Sequence, residues 1–311
     1  MAVGCTTFTR RGQSKASWRR IGRVTYGGGG WIRRMRRSSY RFRDSRSRAD
    51  LAAVPPGTVL FVLAHQDDEI AFHPAITRLA AEARPVEVVY LTDGSARGAL
   101  PERRNAESRA VLERFGVSPT HVWFLGTEAR IEDRGLHTRL DDAYGLLRNR
   151  YSDRSRLSAV YTLAYEGGHP DHDAANAVAA LLAQSMGRLD SAFQVPVYRA
   201  ADGGRPWFVL FAPLAENGPV TAARIGAAES SARVSLMFRY PSQWRSFLGL
   251  GPALIRHALA RTPFQRQPLR LDRLGSRPMQ GPLLYERFWG IDFAEIGEAI
   301  RRFAGKVRED G

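Results

Sequence analysis

Two short clusters in this sequence combine imidazoles and carboxylates at spacings that could hold a metal ion. The first is Ala64-His65-Gln66-Asp67-Asp68-Glu69, and the second is Gly167-Gly168-His169-Pro170-Asp171-His172-Asp173. Catalytic zinc is typically held by three nitrogen or oxygen ligands from the protein, with one position left open for water. Two ligands from one cluster and one from the other would make a His-Asp-His set. A neighbouring carboxylate that does not touch the metal could then act as general base. The adjacent pair Asp67 and Asp68 suits this division, because consecutive side chains leave the backbone in different directions. One imidazole of the pair His169 and His172 could donate to a developing oxyanion. Each cluster alone has a plainer reading, since acids after a strand often only complement a helix dipole. Three of the seven histidines fall in these two clusters, which favours a shared site.

Both clusters need elements to bring them together, and the apolar pattern supplies them. Thr58 to Ala64 is a continuous apolar run of strand length, as expected for a strand buried on both faces of a parallel sheet. A helical stretch from Asp68 to Ala83 follows, then a strand at Val86–Leu91 and a helix at Glu102–Phe115 ending at Gly116. His121–Leu125 reads as a short strand, Leu136–Arg150 as a helix, Leu157–Ala164 as an apolar strand and Ala174–Met186 as an Ala-rich helix. This alternation predicts an α/β fold: a Rossmann-like, doubly wound, mainly parallel sheet with helices on both faces. Ligands of such sheets sit at the carboxyl ends of the strands. The His65 cluster follows the first strand and the His169 cluster the fourth. Beyond Val195 the pattern weakens to strands at Val195–Tyr198 and Trp207–Phe211, and a largely helical stretch from Ala222 to Phe247 that Pro241 must interrupt.

The remaining composition bounds the function classes. The chain has 311 residues, 44% hydrophobic and 25% charged, ordinary for a globular protein. Its single cysteine, Cys5, excludes an internal disulfide framework and a thiolate zinc cluster. No apolar run approaches the roughly 20 residues that span a bilayer, and no secretory signal is visible, so a cytoplasmic address is expected. The net charge of +15 suggests a nucleic-acid partner until its location is considered. Residues 1–50 hold fourteen basic against two acidic residues, a net +12, leaving only +3 for the rest. Two lysines stand against 44 arginines, a bias of coding more than of phosphate binding. Residues 1–52 are therefore expected to be an Arg-rich disordered tail, residues 53–295 the folded domain and 296–311 a C-terminal helix or tail. The tail reads first as a solvated appendage, with translation beginning near Met35 or later. A basic arm for RNA, DNA or anionic lipid, and a targeting peptide, are the other two readings.

The clusters also resemble a known family. The LmbE/PIG-L deacetylases carry Ala-His-Pro-Asp-Asp-Glu after the first strand and His-Pro-Asp-His after a later one. The first motif is matched in five of six positions and the second in full. Thr92-Asp93-Gly94, Arg104-x-x-Glu107, Asp133-Arg134-Gly135-Leu136 and Tyr240-x-Ser242-Gln243 are similar to further family segments in the same order. The resemblance covers roughly residues 55 to 290. It implies that His65, Asp68 and His172 are ligands of Zn2+, and that Asp67 is the general base for zinc-activated water. It further implies that His169 stabilises the oxyanion or assists the amine's departure, Arg104 and Asp133 reach the substrate, and Asp171 orients a histidine. A local salt bridge from Arg104 to Glu107 is the plainer reading of that arginine, and a helix cap is that of Glu69. Gln66 departs from the family's proline. His73-Pro74 replaces a Gly-Gly pair, which could bring a further imidazole towards the metal.

The function implied is a zinc-dependent hydrolase that removes an acetyl group from an N-acetylated, GlcNAc-type sugar or glycoconjugate. A sugar could stack on Trp123, Tyr165, Tyr198 or Trp207, although each also reads as ordinary packing. The alternative within the same chemistry is an amidase on a thiol-sugar conjugate or a glycosylated secondary metabolite. The alternative of another class is a nucleic-acid- or membrane-binding protein that uses the Arg-rich tail, which the intact ligand set disfavours. The sequence leaves the acceptor, zinc against iron, homo-oligomer formation and the role of the tail open.

Overall fold

The computed structural model describes residues 54–95, 100–153, 156–202 and 207–309. The Arg-rich segment 1–52 lies outside them. The chain runs β1 (Thr58–Leu63), α1 (Glu69–Ala81), β2 (Val86–Tyr90), α2 (Pro101–Arg114), β3 (Val122–Trp123), α3 (Leu125–Ala129) and α4 (Leu140–Arg150). It continues through β4 (Leu157–Leu163), α5 (Pro170–Ser185), β5 (Ala192–Val195), β6 (Tyr198–Ala200), β7 (Phe208–Leu210) and β8 (Thr221–Ala223). The last elements are α6 (Ala227–Met237), α7 (Trp244–Leu259), β9 (Phe264–Pro268), α8 (Leu284–Trp289) and α9 (Phe293–Glu309).

Seven strands form one sheet in the order β3-β2-β1-β4-β5-β9-β8. The first five run parallel and β9 pairs antiparallel with both β5 and β8, so the sheet is mainly parallel, as the alternating pattern predicts. β1 and β4 are adjacent, with Val62 opposite Thr162. The strand order reverses between them, which opens a crevice at their carboxyl ends. That crevice is where both polar clusters emerge.

The apolar side chains of β1 and β4 are buried on both faces. The two polar residues of β4 do not break this, because they bond to the neighbouring strand. Thr162 Oγ1 donates to Val62 O at 2.7 Å and Ser158 Oγ to Thr58 O at 3.0 Å. α5 is buried over nearly its whole length, from Pro170 to Ala183. Its alanines let it pack closely against β4, α4 and α9. α9 in turn buries Phe293, Ile296, Ile300 and Phe303, so the segment set apart at residue 296 begins inside a packed helix.

Several boundaries differ from the sequence pattern for physical reasons. α5 begins at Pro170 instead of Ala174, because proline at the first helical position lacks only an N–H that would have no partner there. His172 therefore stands on the first helical turn and not in a loop. The strand expected at His121–Leu125 shrinks to two residues, since Pro119–His121 forms a 3-10 turn and Leu125 already starts α3. The segment expected to be helical from Ala222 is a strand, then α6, a break at Pro241–Gln243, and α7, which extends to Leu259. Among the described residues no helix is long and apolar enough to cross a membrane.

Candidate functional site

The turn after β1 places His65, Asp67 and Asp68, and the start of α5 places His169, Asp171 and His172. Asp68 takes the N-cap position of α1. Its Oδ2 accepts the amide hydrogens of Ala64 at 3.1 Å and His65 at 2.7 Å, which pins the carboxylate inside the turn. Its Oδ1 lies 3.2 Å from His172 Nε2. His65 Nδ1 is 3.6 Å from Asp68 Oδ2, while His65 Nε2 lies 3.1 Å from Asp171 Oδ2. His65, Asp68 and His172 each offer one ligand atom within 4.8 Å of the others, and all three are buried.

This donor set fits a divalent cation. When Nε2–H of His65 donates to Asp171, its Nδ1 turns a lone pair towards the Asp68 carboxylate, and two acceptors face each other across the gap. A cation or a proton must lie between them. Burial pulls the His65 pKa down, yet Asp133, Asp171 and Asp68 raise it well above its ordinary value. A proton here stands in for the positive charge that the site attracts. Imidazole and carboxylate ligands with one histidine held by an outer carboxylate suit zinc and related divalent ions.

Asp171 is the hub behind the cluster. Its Oδ2 accepts from His65 and from the Arg134 amide, and its Oδ1 from the Leu136 amide at 3.1 Å. His169 caps α5, accepting the Asp171 N–H on Nδ1 at 3.2 Å. Burial and the neighbouring His65 and His172 charges hold its pKa well below the ordinary value. A neutral ring that accepts on Nδ1 carries its proton on Nε2. That Nε2 lies 3.6 Å from Asp133 Oδ1, which is buried and has no hydrogen-bond partner.

Asp67 is held in an uncommon conformation, with φ at 140°. Strain of this kind costs roughly 1–3 kcal/mol and persists only where the surroundings over-determine it. Three contacts do so here. The Asp67 amide donates to Glu69 Oε2 at 2.9 Å, and the Arg104 guanidinium donates to Asp67 Oδ1 at 3.3 Å and to Gln66 O at 2.8 Å. Arg104 also donates to Gly94 O at 2.8 Å, and so ties the turns after β1 and β2 together. Burial pushes the Asp67 carboxyl up to about 7, against the pull of Arg104.

The structure thus gathers all eight residues singled out from sequence, with two differences in detail. Arg104 does not pair with Glu107, which instead holds Arg103 at 3.2 Å and accepts from Ser242. Asp133 faces His65 and His169 as well as the cavity, so it belongs to the imidazole cluster. His73 lies away from the metal cluster, its ring 4.9 Å from Phe115, and burial with the Arg233 charge brings its pKa down to about 4. Glu69 is more than a helix cap, since it clamps Asp67 and accepts from Tyr240 Oη at 2.7 Å.

A cavity of about 510 Å³ opens over these groups. Its floor is His65, Asp67, Asp68, His169 and His172, and α7 forms one wall through Phe247, Leu250 and Leu254. Of the aromatic residues considered from sequence only Tyr198 lines it. Trp123 stacks under Arg150, Tyr165 is fully buried, and Trp207 lies near Phe288. Trp289 also lines the cavity, 4.7 Å from the His169 ring, and was not anticipated. It lies 120 residues downstream with no local pattern to mark it. Gly168 is required by close approach, because a Cβ there would lie 2.0 Å from Tyr198 O.

Residues 60–183 match the family model described as PIG-L, GlcNAc-PI de-N-acetylase. Within that segment the chain is similar to PIG-L-type N-deacetylases. The match spans β1 to α5, the segment that supplies every residue of the cluster. Among solved structures, the chain is similar to a deacetylase–teicoplanin complex from the teicoplanin biosynthesis pathway, at 16% identity over 68% of this chain and 97% of that one, TM-score 0.50. It is also similar to the N,N'-diacetylchitobiose deacetylase of Pyrococcus horikoshii, at 16% identity over 72% and 85%, TM-score 0.47. At 16% identity the first of these shows the fold alone. Among curated protein sequences, none matches.

Proposed function

We propose that this PIG-L-like domain hydrolyses the N-acetyl group of an acetylated amino sugar or its glycoconjugate, using zinc held by His65, Asp68 and His172. The observation that carries this reading is the convergence of that buried ligand set with Asp67 and a neutral His169 on the floor of one cavity. A bound divalent cation would polarise the acyl carbonyl and acidify a water beside it.

The chain's own groups then have distinct tasks. Asp67, with a pKa near neutrality, takes the proton from the attacking water. Arg104 holds its carboxylate and Glu69 its backbone amide while it does so. His169 offers Nε2–H to the carbonyl oxygen as negative charge develops, and Asp171 holds that tautomer through its amide. The proton collected by Asp67 passes to the departing nitrogen, and the water's second proton follows it, so the amide and one water become acetate and a protonated amine. Asp133 sits where it can receive a hydrogen bond from His169 or from a substrate hydroxyl. Tyr198 and Trp289 offer ring faces to a sugar beside the imidazoles.

The test is metal analysis of the purified chain beside His172→Ala, with acetate release measured on N-acetylglucosamine derivatives. One divalent ion per chain and acetate release, both lost in the variant, is the expected result. A folded wild-type chain that binds no divalent metal and releases no acetate would refute the proposal.

A further inference from the structure

One surface feature is not used by the site. α7 turns Phe247, Leu250 and Leu254 towards the cavity, yet it carries a second apolar stripe on its outer side. Trp244 is 56% exposed, Leu248 69%, Ile255 46% and Leu259 82%. At about 100° per residue these four fall within roughly 60° of arc. Pro252, also exposed, falls just beside them. Isolated exposed apolar residues are ordinary, but four large ones in a row on one helix are not.

The next strip of the same helix is basic. Arg245 and Arg256 follow the apolar stripe at about 100–120° on the same wheel, and Arg261 comes just after the helix. None of these three is paired with a carboxylate among the described residues, and Arg245 lies 5.3 Å from the Trp244 ring centre. From Trp244 to Arg261 the chain has these three arginines and no acid. An apolar stripe edged by arginines, with a tryptophan at one end, is the pattern of a helix lying in the plane of a lipid interface.

We infer that the outer face of α7 docks on an anionic lipid surface, with Trp244, Leu248, Ile255 and Leu259 inserted below the headgroups and the arginines on the phosphates. A second copy of this chain fits the face less well. A two-fold contact would set the same arginines against each other with no acid to receive them. The Arg-rich residues 1–50 have the same sign and the same objection. An anionic headgroup layer satisfies both strips at once. Trp244 also lines the cavity, so docking would place the cavity mouth at the edge of the membrane surface.

The experiment is co-sedimentation of the full chain with vesicles of phosphatidylglycerol and phosphatidylcholine, beside vesicles of phosphatidylcholine alone. Wild type is expected to bind the anionic vesicles. Leu248→Gln/Leu259→Gln is expected to lose on the order of a hundredfold in affinity for them. Neither leucine lines the cavity, so acetate release from a water-soluble substrate and the circular dichroism spectrum should stay unchanged. Arg256→Gln/Arg261→Gln should instead lose the preference for anionic over zwitterionic lipid. Wild type that ignores anionic vesicles overturns the inference. So does a leucine variant that binds as wild type does, because residues 1–50 would then carry the binding. A wild-type dimer that the leucine variant dissociates also overturns it, by assigning the stripe to a second copy. Acetate release plays no part in these outcomes, so failure here is separate from failure of the deacetylase reading.

Discussion

Replacing Asp171 by asparagine tests whether one buried carboxylate organises the cluster. Its two oxygens accept from His65 Nε2 and from the amides of Arg134 and Leu136. An asparagine keeps one accepting oxygen and presents two N–H groups in place of the other. The less costly rotamer leaves its oxygen facing His65 and Arg134 and turns the NH2 towards the Leu136 N–H. That strands one buried donor, at about 1–3 kcal/mol, and removes charge assistance from the other two bonds, at about 1 kcal/mol each. Relief of repulsion with Asp133, whose pKa the Asp171 charge helps to raise, offsets part of this. A net loss of about 3 kcal/mol corresponds to a melting temperature lower by about 6–12 °C. The His65 imidazole also exchanges a carboxylate partner for a neutral amide oxygen, which makes it a less basic ligand, so affinity for zinc should fall about 10–100-fold. Thermal unfolding with and without zinc, together with competition against a calibrated chelator, measures both effects. A variant with wild-type melting temperature and wild-type zinc affinity would refute the role assigned to Asp171.

Other changes separate positioning from folding. Arg104→Lys cannot span Gly94 O, Gln66 O and Asp67 Oδ1 at once; kcat should drop about a hundredfold with KM little changed, and a rise confined to KM would contradict this. Gly168→Ala drives a Cβ into Tyr198 O, so it should cost upwards of about 3 kcal/mol or abolish folding, and a soluble variant with unchanged melting would count against the close approach. Glu166 gives a pH test away from the metal ligands. Burial pushes its carboxyl from 4.5 up to about 8, although the Val197 and Tyr198 amides donate to its Oε1. The unfolded chain releases this proton first, so the folded state is penalised as pH rises from about 4.5 to about 8, by at most about 5 kcal/mol. Glu166→Gln should therefore melt higher than wild type at pH 8 and no higher at pH 5; equal differences at both values would show that Glu166 is ionised in the fold.

The readable part of this protein is the part whose signals are local. β1 and β4 announce themselves as apolar runs, because strands buried on both faces have no polar side to alternate with. The ligand clusters follow them directly, so adjacency in sequence already implied adjacency at the sheet's carboxyl edge. The convergence of His65, Asp68 and His172 was legible for that reason. Glu69 was legible as a residue and not as a clamp, since its hydrogen bond to the Asp67 amide depends on a positive φ that only the folded turn displays. Trp289 was out of reach in a different way, arriving at the cavity through α8, whose short pattern carries no period, while Tyr198 was named from sequence only as one of four aromatics, three of which lie elsewhere.

α7 shows why an apolar pattern can mislead about position. Its sequence, from Trp244 to Leu259, is apolar on more of its circumference than one buried face requires. Read as a string, that excess suggests a core helix. In the fold only Gly251 and Leu254 are buried, the cavity takes a second strip, and a third is left facing outward beside arginines. Hydrophobic residues report that water is unfavourable for them, but not which apolar phase they meet. α7 itself carries no carboxylate that would mark a protein partner, and it does carry guanidinium groups that suit lipid phosphates. The same accounting places the two halves of the cavity in different surroundings. The floor of imidazoles and carboxylates is cross-linked through Asp171, Glu69 and Arg104 to the turns that follow the parallel strands. The α7 wall is joined to the sheet through few buried side chains, so changes on its outer face should leave the ligand set undisturbed.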